Sequence, residues 1–120
     1  MMNNNLNSWA KFLTKLKVLE IAIVYYSPGP VDFLIRLFES SSNSLTKLVI
    51  NVGENKSQKF VRIPQQIPLY LHSLNHLELP KILPTELISI FKSCTKLVYL
   101  SVILYDDKDL KGLGKFVTKL

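Results

Sequence analysis

Large apolar residues recur along this chain in a pattern that alternates between two periods. Leu16, Leu45, Leu74, Leu97 and Leu120 serve as one equivalent position, the anchor, at separations of 29, 29, 23 and 23 residues. Three residues after the anchor stand Leu19, Leu48, Leu77 and Leu100; five after it stand Ile21, Ile50, Leu79 and Val102. Upstream, the position seven before is Trp9, Phe38, Ile67, Ile90 and Leu113. Ten before are Leu6, Ile35, Pro64, Leu87 and Leu110, and three before are Leu13, Ser42, Leu71, Cys94 and Val117.

Offsets of −10, −7 and −3 follow i, i+3 and i+7, which is one stripe of an amphipathic helix, whereas +3 and +5 alternate as one face of a strand. Each unit is therefore expected to be a short helix followed by a short strand. Pro30, Pro64 and Pro84 fall where a first helical turn accepts proline, because the missing N–H has no intrahelical partner there. Asp32, Glu86 and Asp109 are expected near the positive helix ends. Helices of about 10 residues are marginal alone in water, so the units must shelter one another's apolar faces by stacking. The spacing divides a single domain, 1–120, into units of about 6–29, 30–60, 61–83, 84–106 and an incomplete 107–120. The expected class is α/β, with about four repeats and a stub.

The phrases LTKLKVLEI (Leu13 to Ile21), SLTKLVINV (Ser44 to Val52), SLNHLEL (Ser73 to Leu79) and CTKLVYLSV (Cys94 to Val102) carry LxxLxL four times. With periods of 20 to 29 residues this resembles the leucine-rich-repeat family, and the helix-bearing units are similar to the repeat region of fungal F-box/LRR proteins. The resemblance implies a right-handed solenoid, its parallel sheet on the concave face and its helices on the convex face. It also implies a protein-binding module, the substrate-recognition region of an F-box subunit of an SCF-type ubiquitin ligase. The family places Asn or Cys eight residues after the anchor; here Val24, Gly53, Ile82 and Tyr105 stand there, so the asparagine ladder is absent. Leu83 to Leu87 with Phe91 resembles the opening of an F-box, yet Cys94 resumes the repeat before two further helices could fit. An F-box, and with it a Skp-type adaptor, is thus expected only outside this chain.

Composition narrows the class further. The chain has 120 residues, 48% hydrophobic and 20% charged, which suits a folded domain. Met1 to Leu6 is polar and Asn-rich, without the basic and apolar stretches of a secretory signal. The apolar run Val18 to Tyr26 is short of the roughly 20 residues of a membrane helix. Cys94 is the single cysteine, so no internal disulfide forms and a reducing compartment, cytoplasmic or nuclear, is expected. The Asn55–Ser57 sequon then reads as a turn. The formal net charge of +6 comes almost wholly from lysine, with Arg36 and Arg62 the only arginines. Phosphate sites favour the bidentate arginine fork, which argues against nucleic acid.

His72 and His76 are four apart, the spacing of two zinc ligands on a helix, but the repeat puts His72 in the helix-to-strand descent and His76 on a strand. Asp106, Asp107 and Asp109 lack the Gly and terminal Glu of a calcium loop and read as a helix cap. Cys94 occupies the apolar −3 offset and reads as a buried small hydrophobe. Gly29, Gly53, Gly112 and Gly114 make no phosphate cradle, and no serine sits in a nucleophile elbow; Gly112 and Gly114 should weaken the last helical stripe. No cofactor, metal or catalytic constellation is expected, and the chain reads as a non-enzyme.

Alternation along the strands leaves offsets +2, +4 and +6 facing solvent. These supply the expected partner-binding residues: Val18, Lys47, His76 and Tyr99 at +2, Glu20, Val49, Glu78 and Ser101 at +4, and Asn51 and Ile103 at +6, beside Ala22 and Pro80. Such a mixed surface suits another protein, and no membrane. The alternative from another class is a basic nucleic-acid-binding surface built on Lys15, Lys47, Lys96 and Lys119. Because the chain stops at an anchor, an incomplete array without a C-terminal cap is expected.

Overall fold

The computed structural model describes residues 12–23, 28–52, 62–105 and 112–119. In chain order the elements are β1 (Val18–Ile23), α1 (Pro28–Ser40), β2 (Lys47–Val52), α2 (Arg62–Tyr70), β3 (His76–Glu78), α3 (Pro84–Ser93), β4 (Tyr99–Tyr105) and β5 (Gly112–Lys119). The fold is α/β, with one five-stranded sheet in the order β1-β2-β3-β4-β5. Strands β1 to β4 are parallel, and each helix links one parallel strand to the next.

The register follows the sequence spacing residue for residue. Leu19 pairs with Leu48, Leu48 with Leu77, and Leu77 with Leu100, so the +3 leucines lie side by side across four strands. Thr-Lys-Leu ends on the anchor in the first and fourth units but on Leu48 in the second, and the pairing is unaffected by that shift. Backbone bonds repeat with the same period. The carbonyl of Lys17 accepts the N–H groups of Thr46 (2.8 Å) and Lys47 (3.0 Å), that of Thr46 those of Asn75 (2.8 Å) and His76 (3.1 Å), and that of Asn75 those of Val98 (2.8 Å) and Tyr99 (3.0 Å).

Each helix turns its apolar stripe to one face of the sheet. Val31, Leu34 and Phe38 of α1, Ile63 and Ile67 of α2, and Leu87 and Ile90 of α3 join Leu48, Ile50, Leu77, Leu79, Leu100 and Val102 in a single core. Anchors Leu45 and Leu74 are fully buried. At about 1.5–3 kcal/mol for each large apolar side chain removed from water, this shared layer stabilises helices too short to stand alone. Leu16, Leu19 and Ile21 of the first unit are only partly buried against it.

Local chemistry sets the helix ends. Pro84 opens α3, and Glu86 Oε1 accepts the Leu83 N–H at 2.8 Å, the backward half of a capping box. Pro30 and Pro64 lie within the first turns of α1 and α2. Asp32 was expected at a positive helix end, but α1 starts at Pro28 and its first turn holds no acid. Starting two residues earlier than Pro30, the helix carries Asp32 past its first four N–H groups, the ones without intrahelical partners. In place of an asparagine ladder, short side chains tie one unit to the preceding one: Ser44 Oγ donates to the Leu16 carbonyl at 2.7 Å, and the Cys94 thiol to the Leu71 carbonyl at 3.3 Å. Ile82, at the offset of the family's asparagine, is buried and bridges to Leu104.

The last unit departs from expectation. Residues 112–119 form no helix; they are β5, antiparallel to β4, with Tyr99 opposite Lys119 and Ile103 opposite Lys115. Leu113 and Val117 are four apart, a spacing that keeps one face in a helix and in a strand alike, so the stripe did not discriminate. Gly112 and Gly114 each cost a helix about 1 kcal/mol relative to alanine, while Phe116, Val117 and Thr118 favour strand. Pairing with the long edge of β4 decides the matter. The sheet accordingly ends in a reversed strand and not in a stub of a fifth repeat. The expected helices around Leu6–Trp9 and Leu110, with Asp106, Asp107, Asp109 and the anchor Leu120, lie outside the described residues.

Candidate functional site

The helices cover the sheet face that carries the +3 and +5 residues, and the opposite face carries +2, +4 and +6. The register lines up three rows there: Val18–Lys47–His76–Tyr99, Glu20–Val49–Glu78–Ser101, and Ala22–Asn51 with Ile103 further along. With strands about 4.8 Å apart, four strands span about 14 Å, a surface wide enough for an extended segment. All ten expected contact residues belong to this face, so the structure brings them together.

They are not equally accessible. Val18, Glu20, Asn51 and Ile103 are exposed, and Lys47, His76, Glu78 and Tyr99 are half-buried. Val49 and Ser101, expected to face solvent, are buried at 9% and 6% relative exposure. Both sit at interior positions of the row: Val49 stands between Glu20 and Glu78, and Ser101 between Glu78 and strand β5. Neighbours on both sides screen a short side chain, and alternation alone does not register that. Val49 and Ser101 form the floor of the surface, and the longer side chains around them stand above it.

Polar groups on this face are paired within it. Lys47 Nζ lies 3.4 Å from Glu20 Oε1, a pair exposed enough to be worth only about 0–1 kcal/mol. The His76 Nε2–H donates to Glu78 Oε2 at 2.7 Å. The His76 ring stacks on Tyr99, centroids 4.4 Å apart and planes 16° from parallel. These contacts hold the centre of the face in one arrangement, and a preorganised surface loses less entropy when a partner binds. The His76–Tyr99 stack was not recognised in the sequence, although both residues share the +2 offset in adjacent units 23 residues apart.

The remaining sequence candidates fall elsewhere. His72 lies in the turn after α2, with Nε2 2.7 Å from the Pro68 carbonyl, so the two histidines serve separate local contacts. Among the described residues no group of three His, Cys, Asp or Glu is placed to hold a metal ion. Cys94 is buried, and desolvation of the thiolate pushes its pKa from about 9 up to about 11; a thiol so protonated at neutral pH is a poor nucleophile. On the helix side, a groove of about 290 Å³ runs between α2 and α3, lined by Pro64, Pro68, Leu69, Thr85 and Ser89 among others. Tyr70 donates to Glu39 Oε1 at 3.1 Å, tying α2 to α1, and that bond with its carboxylate raises the phenol pKa above its ordinary value. Among the described residues no helix is long and apolar enough to cross a membrane. No protein-family model, no curated protein and no solved structure matches this chain.

Proposed function

We propose that the chain is a leucine-rich-repeat solenoid segment that acts without catalysis, receiving another protein on the sheet face opposite its helices. The observation that carries the reading is the register: Leu19, Leu48, Leu77 and Leu100 are Cα partners across four parallel strands, and the strands of Leu48, Leu77 and Leu100 each follow a helix. Stacked units of this kind leave one row-ordered face open along their length. That face holds exposed Val18 and Ile103 beside the internally paired Lys47, Glu20, His76 and Glu78, a mixture of apolar contact and fixed charge that suits a protein surface. The finer reading is a substrate-receiving region of an F-box subunit, in which a Skp-type adaptor binds an F-box located outside these residues.

The test is capture with three forms of the chain: wild type, a sheet-face double variant (Val18→Glu, Tyr99→Ala) and a helix-face variant (Ile88→Glu). A protein held by the wild type and the helix-face variant, and lost with the sheet-face variant, supports the reading. Retention by the sheet-face variant counts against it. For the finer reading, the measurement is co-purification of a Skp-type adaptor with the parent protein.

A further inference from the structure

We infer that the segment received is acidic and extended, and that it docks along a lysine rim at the edge of the sheet where the parallel strands begin; this rests on the reading that the sheet face binds a protein. The four stretches that open the strands are Lys15–Val18, Ser44–Lys47, Ser73–His76 and Lys96–Tyr99. Together they hold Lys15, Lys17, Lys47, Lys96 and His76, and no Asp or Glu. Sheet register sets them side by side through Val18, Lys47, His76 and Tyr99. Lys15 and Lys96 stand 81 residues apart in the chain, and the sheet register brings their units to one edge.

Lys15, Lys17 and Lys96 are exposed. Lys47, at 36% side-chain exposure, is in contact with Glu20. Glu20 and Glu78 stand two residues further along their strands and reach back to Lys47 at 3.4 Å and to His76 at 2.7 Å, which leaves Lys15, Lys17 and Lys96 as the outer margin. The face thus has a positive margin and a mixed interior. A row of like charges on a low-dielectric body concentrates the field along that margin and attracts an anionic partner. The backbone beneath is held by the paired N–H bonds to the Lys17, Thr46 and Asn75 carbonyls, and Thr46 Oγ1 adds a bond to the Lys17 carbonyl at 3.1 Å. The rim therefore needs little reorganisation to be occupied.

An acidic peptide fits this arrangement better than a nucleic acid does. The rim carries no arginine to grip phosphate in two-point fashion. Single strands also need open aromatic platforms, and Tyr99 is half-buried with one ring face already on His76. An extended peptide can set carboxylates over the lysines and turn its alternate, uncharged side chains toward Val18 and Tyr99.

The experiment is fluorescence anisotropy at low ionic strength on the full chain. The probes are a labelled alternating Glu-Ser peptide, a Ser-Gly peptide of equal length and an oligo-dT strand of equal length. The expected result is that the acidic peptide binds at least about tenfold tighter than the neutral one and weakens as salt rises. The Lys15→Gln/Lys96→Gln double variant should lose about tenfold, while a charge-matched Arg36→Gln/Lys81→Gln variant keeps its affinity, both checked as folded by circular dichroism. Equal loss in the two variants, or no preference for the acidic peptide, overturns the rim and leaves the protein-binding reading to its capture test. Tighter binding of oligo-dT overturns both.

Discussion

Among single residues, the cost of a truncation depends on which side of the sheet the side chain takes. Leu77 and Leu100 are fully buried in the centre of the stack, so Leu77→Ala or Leu100→Ala should cost about 2–5 kcal/mol, a large part of the roughly 5–15 kcal/mol that holds a domain folded. Val18, half exposed on the opposite face at 51%, should tolerate alanine within about 0.5 kcal/mol. Urea unfolding of the three variants checks the contrast, and an unchanged midpoint for Leu100→Ala would remove that leucine from the core. Cys94 offers a pH-dependent version of the same logic. Burial raises the thiol pKa from about 9 to about 11, so the folded state holds the proton more tightly than the unfolded one. The stability linked to this proton is intact below about pH 9 and is lost as the pH rises through about 11. The urea midpoint should fall over that interval more for the wild type than for Cys94→Ala, and the native thiol should react slowly with a disulfide reagent until urea opens the core.

At the level of whole elements, α2 is the segment most at odds with its own sequence. Pro68 lies inside it, where it supplies no N–H to the Pro64 carbonyl and crowds that group. The helix survives because Ile63, Ile67 and Leu71 are buried on the sheet; packing overrides propensity. Pro68→Ala restores the missing donor, and although it also frees the unfolded chain by about 0.4–1 kcal/mol, the net change should be stabilising by about 1–2 kcal/mol, against the roughly 3 kcal/mol an interior proline costs. A lower melting temperature for this variant would show that the proline ring contributes packing that outweighs the lost bond. β5 marks the opposite limit of reading elements from sequence. Units two to four were legible because anchor, +3 and +5 together demand two different periods in a fixed order. The last segment offered only intervals of three and four with no strand after them, which a hairpin strand also satisfies.

Across the molecule, the sheet-face site was legible as a set of offsets but not as a surface. Periodicity placed all ten residues on one face, yet it could not separate the buried Val49 and Ser101 from the more open Glu20 and Glu78, because screening depends on the side chains carried by the strands on either side. It also missed Lys17, whose +1 offset belongs to neither period. Both gaps have one origin: a repeat specifies contacts between neighbouring units, whereas exposure is a property of the assembled row.

The same nearest-neighbour construction governs how the whole molecule should open. Each strand pairs only with its neighbours in chain order, and α1 packs on α2 and α2 on α3. Stability in such a stack is close to a sum of unit and interface contributions, so it need not be uniform along the row. The second to fourth units have buried anchors and buried +3 and +5 residues, whereas Leu16, Leu19 and Ile21 in the first unit are only half covered. Lost burial at three large apolar positions weakens the first interface by a few kcal/mol at about 25 cal/mol per Å². Native-state hydrogen exchange should therefore show a gradient, with the amides of β3 and β4 exchanging only through global unfolding and those of β1 opening at lower free energy. The β2 amides that bond β1 should follow β1, because one opening releases both sides of that ladder. Uniform protection from β1 to β4 would mean that the units are coupled beyond their immediate neighbours and that the stack behaves as one indivisible core.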